Sequence, residues 1–200
     1  MLRMKKLIKR YLKEYFPYSD NDWFDLVKSK KSFADQVQTA VLSLNSKGIM
    51  HGHQRRVGLA RLKKYSQALL SEESLEKIRK ALRTRNFHSV YLVFKEETKD
   101  HYMVSDLTAY DVTQRLCSAY GIEPEFVYLH TGTTVGAKNL GIDVRGKEYL
   151  EVIELPSWLT SSLSPADIEN FLCIYKDDFV SGQSKNKSNC LPIRSKRWIC

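Results

Sequence analysis

Apolar residues recur at helical spacing between cap signals along most of this chain, and that periodicity directs it towards a mainly helical fold. The clearest segment is Ser32 to Leu44. There Phe33, Val37, Ala40, Val41 and Leu44 share one face, and Asn45-Ser46-Lys47-Gly48 supplies the stop. Leu2 to Tyr15 reads as a helix with Leu2, Leu7, Ile8, Leu12 and Phe16 near one face and lysines opposite. Pro17 interrupts it, and Ser19-Asp20-Asn21-Asp22 caps a short helix through Trp23, Phe24, Leu26 and Val27. Beyond the Gly48 turn, a helix is expected from about His53, with Val57, Ala60, Leu62 and Tyr65 inward. Ser71-Glu72-Glu73-Ser74 opens the next helix, and its acids sit in the first turn where the dipole favours them.

Ser105-Asp106 caps a helix over Leu107 to Tyr120, closed by Gly121, and Ser164-Pro165 starts another through Tyr175. Two stretches are ambiguous. Residues 89–94, S-V-Y-L-V-F, are short and β-rich, so periodicity does not separate a strand from a helix. The segment E-Y-L-E-V-I-E-L-P partly alternates and is compatible with a strand ended by Pro156. The expected fold is therefore mainly α: a single compact helical domain with room for two or three short strands. A basic helical extension is expected over 1–31, a helical core domain over 32–179 and a basic tail over 180–200.

At 200 residues, with 42% apolar and 28% charged side chains, the composition is globular and argues against wholesale disorder. No stretch nears the roughly 18 consecutive apolar residues of a membrane span. Charges break up the first residues, so no secretory signal is expected there. Cys117, Cys173, Cys190 and Cys200 lie far apart without a C-x-x-C pair, which argues against a zinc ribbon or a disulfide scaffold. A cytoplasmic location is the expectation.

The net charge of +9 hides an asymmetry that points to a partner. Residues 1–95 hold 21 Lys and Arg against 8 acids, residues 96–178 hold 6 against 15, and the last 22 residues hold 5 against none. Lys47 to Lys64 contains six basic residues and no acid, and Lys77, Arg79, Lys80, Arg83 and Arg85 form a second run. Such runs suit a polyanion, since each phosphate neutralised releases counterions. Arg55, Arg56, Arg61, Lys63 and Lys64 are the candidate nucleic-acid-binding residues, with DNA or RNA as partner. The acidic 96–178 half is a second candidate surface, for a protein partner.

Two constellations could carry chemistry. His51-Gly52-His53-Gln54-Arg55-Arg56 places two imidazoles one residue apart beside two arginines. No carboxylate lies nearby in sequence to complete a ligand set, so neither a metal nor a cofactor is expected. The bland reading has the histidines bonding backbone and the arginines in ion pairs. Tyr110-Asp111-x-x-x-Arg115 precedes V-Y-L-H-T-G-T-T-V-G-A. Asp111 and Arg115 are spaced to pair on one helix face. Thr131-Gly132-Thr133-Thr134 reads as a turn whose amides could cradle a phosphate, although it lacks the ending of a P-loop. His51, His53, Asp111, Arg115 and His130 are thus the candidate catalytic residues of an enzyme acting on nucleic acid or nucleotide, with Asp111 as acid, Arg115 as anchor and His130 as base.

The segments G-x-x-H-x-H-Q (48–54), L-T-x-Y-D-x-x-x-R (107–115), V-Y-L-H-x-G-T-x-x-G-A (127–137) and I-E-x-F-L-C-I-Y-K (168–176) together resemble a family of uncharacterised bacterial proteins over residues 36–178. The resemblance implies a bacterial defence or mobile-element setting and brings no activity. The middle of the chain is also similar to a helix-hairpin-helix module of the DNA-glycosylase type. Its hairpin glycines are replaced here by H-Y-M-V-S-D (101–106), so the similarity implies a fold-level analogy only.

Overall fold

The computed structural model describes residues 2–15 and 21–180, together with the backbone of residues 192–193 and 197–198. The fold is mainly α, as the periodicity predicts. By its contacts the chain divides into two compact units, residues 20–124 and residues 1–19 with 125–200. No helix among the described residues is long and apolar enough to cross a membrane.

The 20–124 unit holds α2 (Asn21–Lys28), α3 (Phe33–Leu42), α4 (Gly52–Val57), α5 (Leu59–Leu69), α6 (Glu72–Arg83), α7 (Phe87–Thr98) and α8 (Asp106–Ser118). Sequence caps set these boundaries. The Ser32 hydroxyl accepts from the Asp35 amide, Ser71 from that of Ser74, and Asn86 from that of Ser89. The last cap resolves the ambiguity at 89–94. Asn86 starts a helix, and Phe87, Val90, Tyr91, Phe94 and Thr98 make its buried face at helical spacing. The single helix expected from His53 onward is two, because Gly58 takes a φ of 84° at the junction. An L side chain is strained in that backbone conformation. Of the inner face expected there, Val57, Leu62 and Tyr65 are buried, whereas Ala60 is exposed.

Helix α8 is the centre of this unit. It is packed by α7, α2, α3 and α4, and its buried residues run all round the helix. They include Thr108, Asp111, Thr113 and Arg115 beside Tyr110, Val112, Leu116 and Cys117. Polar side chains inside such a helix need partners within the unit.

The other unit holds α1 (Leu2–Glu14), β1 (Val127–Tyr128), α9 (Thr131–Asn139), β2 (Tyr149–Leu150), α10 (Ser157–Thr160) and α11 (Pro165–Ile174). β1 and β2 pair antiparallel, with Val127 opposite Leu150 and Tyr128 opposite Tyr149. Helix α1, expected as part of an N-terminal extension, puts Ile8 and Tyr11, with Tyr15 just past its end, into a core with Val127, Leu150, Phe171, Leu172 and Tyr175. The Tyr11 hydroxyl donates to Asp167 at 3.1 Å. Of the basic tail expected over 180–200, the described residues include only Val180 and the pair β3 (Pro192–Ile193) and β4 (Arg197–Trp198).

One local expectation changes. Thr131-Gly132-Thr133-Thr134 is not a separate turn but the first turn of α9, packed on α11. Gly136 and Gly132 lie against α11 so closely that a methyl built on either would overlap the Leu172 carbonyl or the Cys173 sulfur. Thr133 donates to the buried Glu169 carboxylate at 2.8 Å. The small residues serve helix approach. Gly136→Ala should therefore cost about 1–3 kcal/mol through overpacking, read as a lower urea midpoint, whereas Gly141→Asn at the exposed turn after α9 should cost less than Gly136→Ala.

Candidate functional site

Within the 20–124 unit, His51, His53, Asp111 and Arg115 come together. Local structure between α3 and α4 places the two histidines. Ser43 ends α3 with a φ of 56°, its amide donating back to Thr39 and its carbonyl accepting from the His51 amide at 2.9 Å and from the Trp23 indole at 3.1 Å. The Asn45 side chain accepts from the Lys47 and Ile49 amides, and Gly48 takes a φ of 69°, closing a tight loop between Leu44 and Met50. The chain therefore re-enters at His51, which stands at the N-cap of α4.

Helix α4 turns Gln54 and Val57 inward and Arg55 and Arg56 outward. Gln54 is fully buried and sits between the two buried charged residues of α8, Asp111 and Arg115. Its Nε2 donates to Asp111 Oδ2 at 2.6 Å, and its Oε1 accepts from Arg115 at 3.0 Å. Arginine is a donor only, so the amide orientation is fixed: oxygen towards Arg115, nitrogen towards Asp111. Two histidine tautomers follow from this. His51 Nδ1 lies 3.0 Å from Gln54 Oε1 and must donate to it. His53 Nδ1 lies 3.0 Å from Asp111 Oδ2 and must donate to that carboxylate. Ser43 Oγ donates to the same Gln54 oxygen at 3.3 Å, and Arg115 also reaches the Ala40 carbonyl at 3.5 Å. The rings of His51 and His53 stand edge to face at 5.0 Å, with Trp23 edge-on to His51 at 5.2 Å.

Asp111 and Arg115 pair as their spacing predicts, at 3.9 Å, but they are no surface staple: their side chains are 7% and 2% exposed. Burial pushes the Asp111 carboxyl up. His53 beside it, its hydrogen bond, then Arg115 and His51 outweigh that and hold Asp111 well below the usual carboxylate range.

This environment bears on two roles expected from sequence. The groups around Asp111 favour its ionised form, which suits an acceptor better than an acid. Arg115 is buried with its guanidinium engaged by Gln54 and Ala40, so it is a structural charge, not a phosphate anchor. His130 belongs to the other unit, where it is half-buried at the N-cap of α9. Gln54 is the member that sequence reasoning misses. Its signal is a polar residue three before Val57, on the inward face of a short helix.

Among the nucleic-acid candidates, Arg55, Arg56, Arg61, Lys63 and Lys64 are all exposed, on α4 and α5. No carboxylate among the described residues pairs with Arg55, Arg61, Lys63 or Lys64. Arg55 donates to the Met50 carbonyl, and Arg61 donates to that of Val57 while lying over the ring of Tyr102 at 5.8 Å. The second basic run differs. On α6, Lys77 pairs with Glu73, Arg79 with Glu72 and Glu76, and Arg83 with Glu76. No protein-family model, curated protein or solved structure matches the chain.

Two outcomes test the network. Arg115→Ala removes the buried cation beside Asp111 and one of the donors to Gln54 Oε1, and should cost about 3–5 kcal/mol in urea unfolding. Asp111 has a lowered folded value, so its contribution is complete above the ordinary aspartate value of about 3.9 and is lost as pH falls below it. Stability measured from neutral pH down to about 2 should drop in that window, and more steeply than in an Asp111→Asn variant.

Proposed function

We propose that this is an intracellular nucleic-acid-binding protein whose binding surface is the α4–α5 face of Arg55, Arg56, Arg61, Lys63 and Lys64. The observation that carries the reading is the contrast between the two basic runs. Three of the four cations of α6, Lys77, Arg79 and Arg83, are offset by the acids of that same helix, while those of α4 and α5 project into solvent with no acid in the segment. Exposed cations along consecutive helices that carry no acid raise the local potential and suit phosphates. Tyr102, 81% exposed beside Arg61, adds a ring on which an unpaired base can stack.

A second reading, an enzyme acting on nucleic acid or nucleotide, is favoured by one observation: His51, His53, Asp111 and Arg115 converge, and His51 and His53 remain partly exposed on the segment that carries Arg55 and Arg56. Docking of a basic protein partner through residues 96–178 draws less support. Glu154 is already paired with Lys147, and Asp143 with Arg145.

Anisotropy titrations with labelled single- and double-stranded DNA and RNA across a salt series test the proposal. Replacing the five basic residues of α4–α5 by Gln should weaken binding at least tenfold. It should also flatten the log–log salt dependence by about one unit for each phosphate no longer neutralised. Replacing Lys77, Arg79 and Arg83 by Gln should change it far less. Equal weakening in both variants, or no binding by the wild type at low salt, would refute the assignment.

A further inference from the structure

The histidine pair at the start of α4 lacks a carboxylate in its own stretch of sequence, and the fold supplies one from α8. One ligand-capable atom each of His51, His53 and Asp111 lies within 4.8 Å of the other two. We propose that these three residues form a binding site for a divalent first-row transition-metal ion, of the kind that two imidazoles and a carboxylate select. This site does not depend on nucleic-acid binding.

Three features beyond the residue types support it. The first is spacing. An ion about 2.1 Å from each of its ligands in tetrahedral geometry needs ligand atoms about 3.4 Å apart. The His53–Asp111 edge is 3.0 Å, so one side of the polyhedron is already near its final length, and a ligand-capable atom of His51 lies within 4.8 Å of both.

The second is the shell behind the ligands. Metal-bound histidines are usually held by a hydrogen bond from the ring nitrogen opposite the ion, and ligating carboxylates are hydrogen-bonded as well. Gln54 provides both, accepting from His51 Nδ1 at 3.0 Å and donating to Asp111 Oδ2 at 2.6 Å. His51 then presents Nε2 to the ion. Arg115 in turn locks Gln54 in the only orientation that serves both. At His53 the ion takes the place of the ring hydrogen shared with Asp111; the neutral ring gives that proton to solvent and takes one from solvent at Nε2, so no net proton is released.

The third is access combined with rigidity. Asp111 is buried on the central helix, whereas the His53 side chain is 25% exposed, so an ion can enter from solvent against an already fixed carboxylate. Three protein ligands also leave at least one coordination position for water or a substrate atom.

The full-length protein, stripped with a chelator, is titrated with Co2+ and with Zn2+. One equivalent should bind, and Co2+ should develop the visible absorption of a low-coordinate ion. His51→Gln and His53→Gln should each weaken binding at least tenfold with the helical circular dichroism intact, while His88→Gln should match wild type. A second measurement needs no variant. Among the five histidines, the imidazole nitrogen resonances that move on adding Zn2+ should be those of His51 and His53. Absence of binding, binding unaltered in both cluster variants, or resonance shifts confined to other histidines would each overturn the site.

Discussion

An aspartate and an arginine buried one turn apart on the central helix of the 20–124 unit form the constraint on which that unit depends. Removing two charges from water costs several kcal/mol per ion, and their mutual attraction at 3.9 Å does not by itself return it. The remaining donors and acceptors must be met, and Gln54 is placed to meet them on both sides. That requirement reaches outward. Gln54 can stand there only if α4 begins at His51, and His51 is set by the left-handed Ser43 and the Asn45 loop behind it. Much of the stretch from Thr39 to Val57 is therefore positioned by polar bonding as well as by apolar packing. Such a network adds little net stability over an apolar core, but it makes one arrangement of α3, α4 and α8 far more favourable than any other.

How much of this can be read from the sequence follows from the range of the forces involved. Caps and periodicity are local, and they locate α1, α2, α3, α6, α8 and α11 well. The 89–94 stretch is ambiguous in sequence because its apolar run fits either period. Asn86, three residues before the first amide that it caps, holds the deciding information. The split at Gly58 and the helix at Thr131 escape the pattern for one shared reason. A glycine signals a turn, a break or a close approach equally well, and only the facing partner tells them apart. At Gly58 the backbone angle requires glycine, whereas at Gly132 and Gly136 a neighbouring helix does.

The site divides along similar lines. Residue types at His51, His53, Asp111 and Arg115 mark chemistry, and the Asp111–Arg115 spacing is a property of one helix. What pattern alone does not supply is burial. An i, i+4 pair at the surface is a weak staple, and the same pair inside α8 has its protonation state and its partners dictated by the surroundings. The absence of a carboxylate near the histidines is likewise a statement about sequence distance. Asp111 lies 58 positions from His53 along the chain and 3.0 Å from its ring in space.

The division of labour on α4 shows why basic residues cannot be weighed by number alone. Within six residues this helix directs Gln54 and Val57 into the polar and apolar core and Arg55 and Arg56 into water. Helix α4 carries no acid to offset its outward cations. Any offset must come from a neighbouring helix. Helix α5 follows directly and brings Arg61, Lys63 and Lys64 to its surface instead of acids. Helix α6 has the opposite arrangement, because Glu72, Glu73 and Glu76 stand a turn or two before the bases they offset. Two runs with almost equal basic content thus present different fields to solvent, and the difference arises from where the acids stand on each helix.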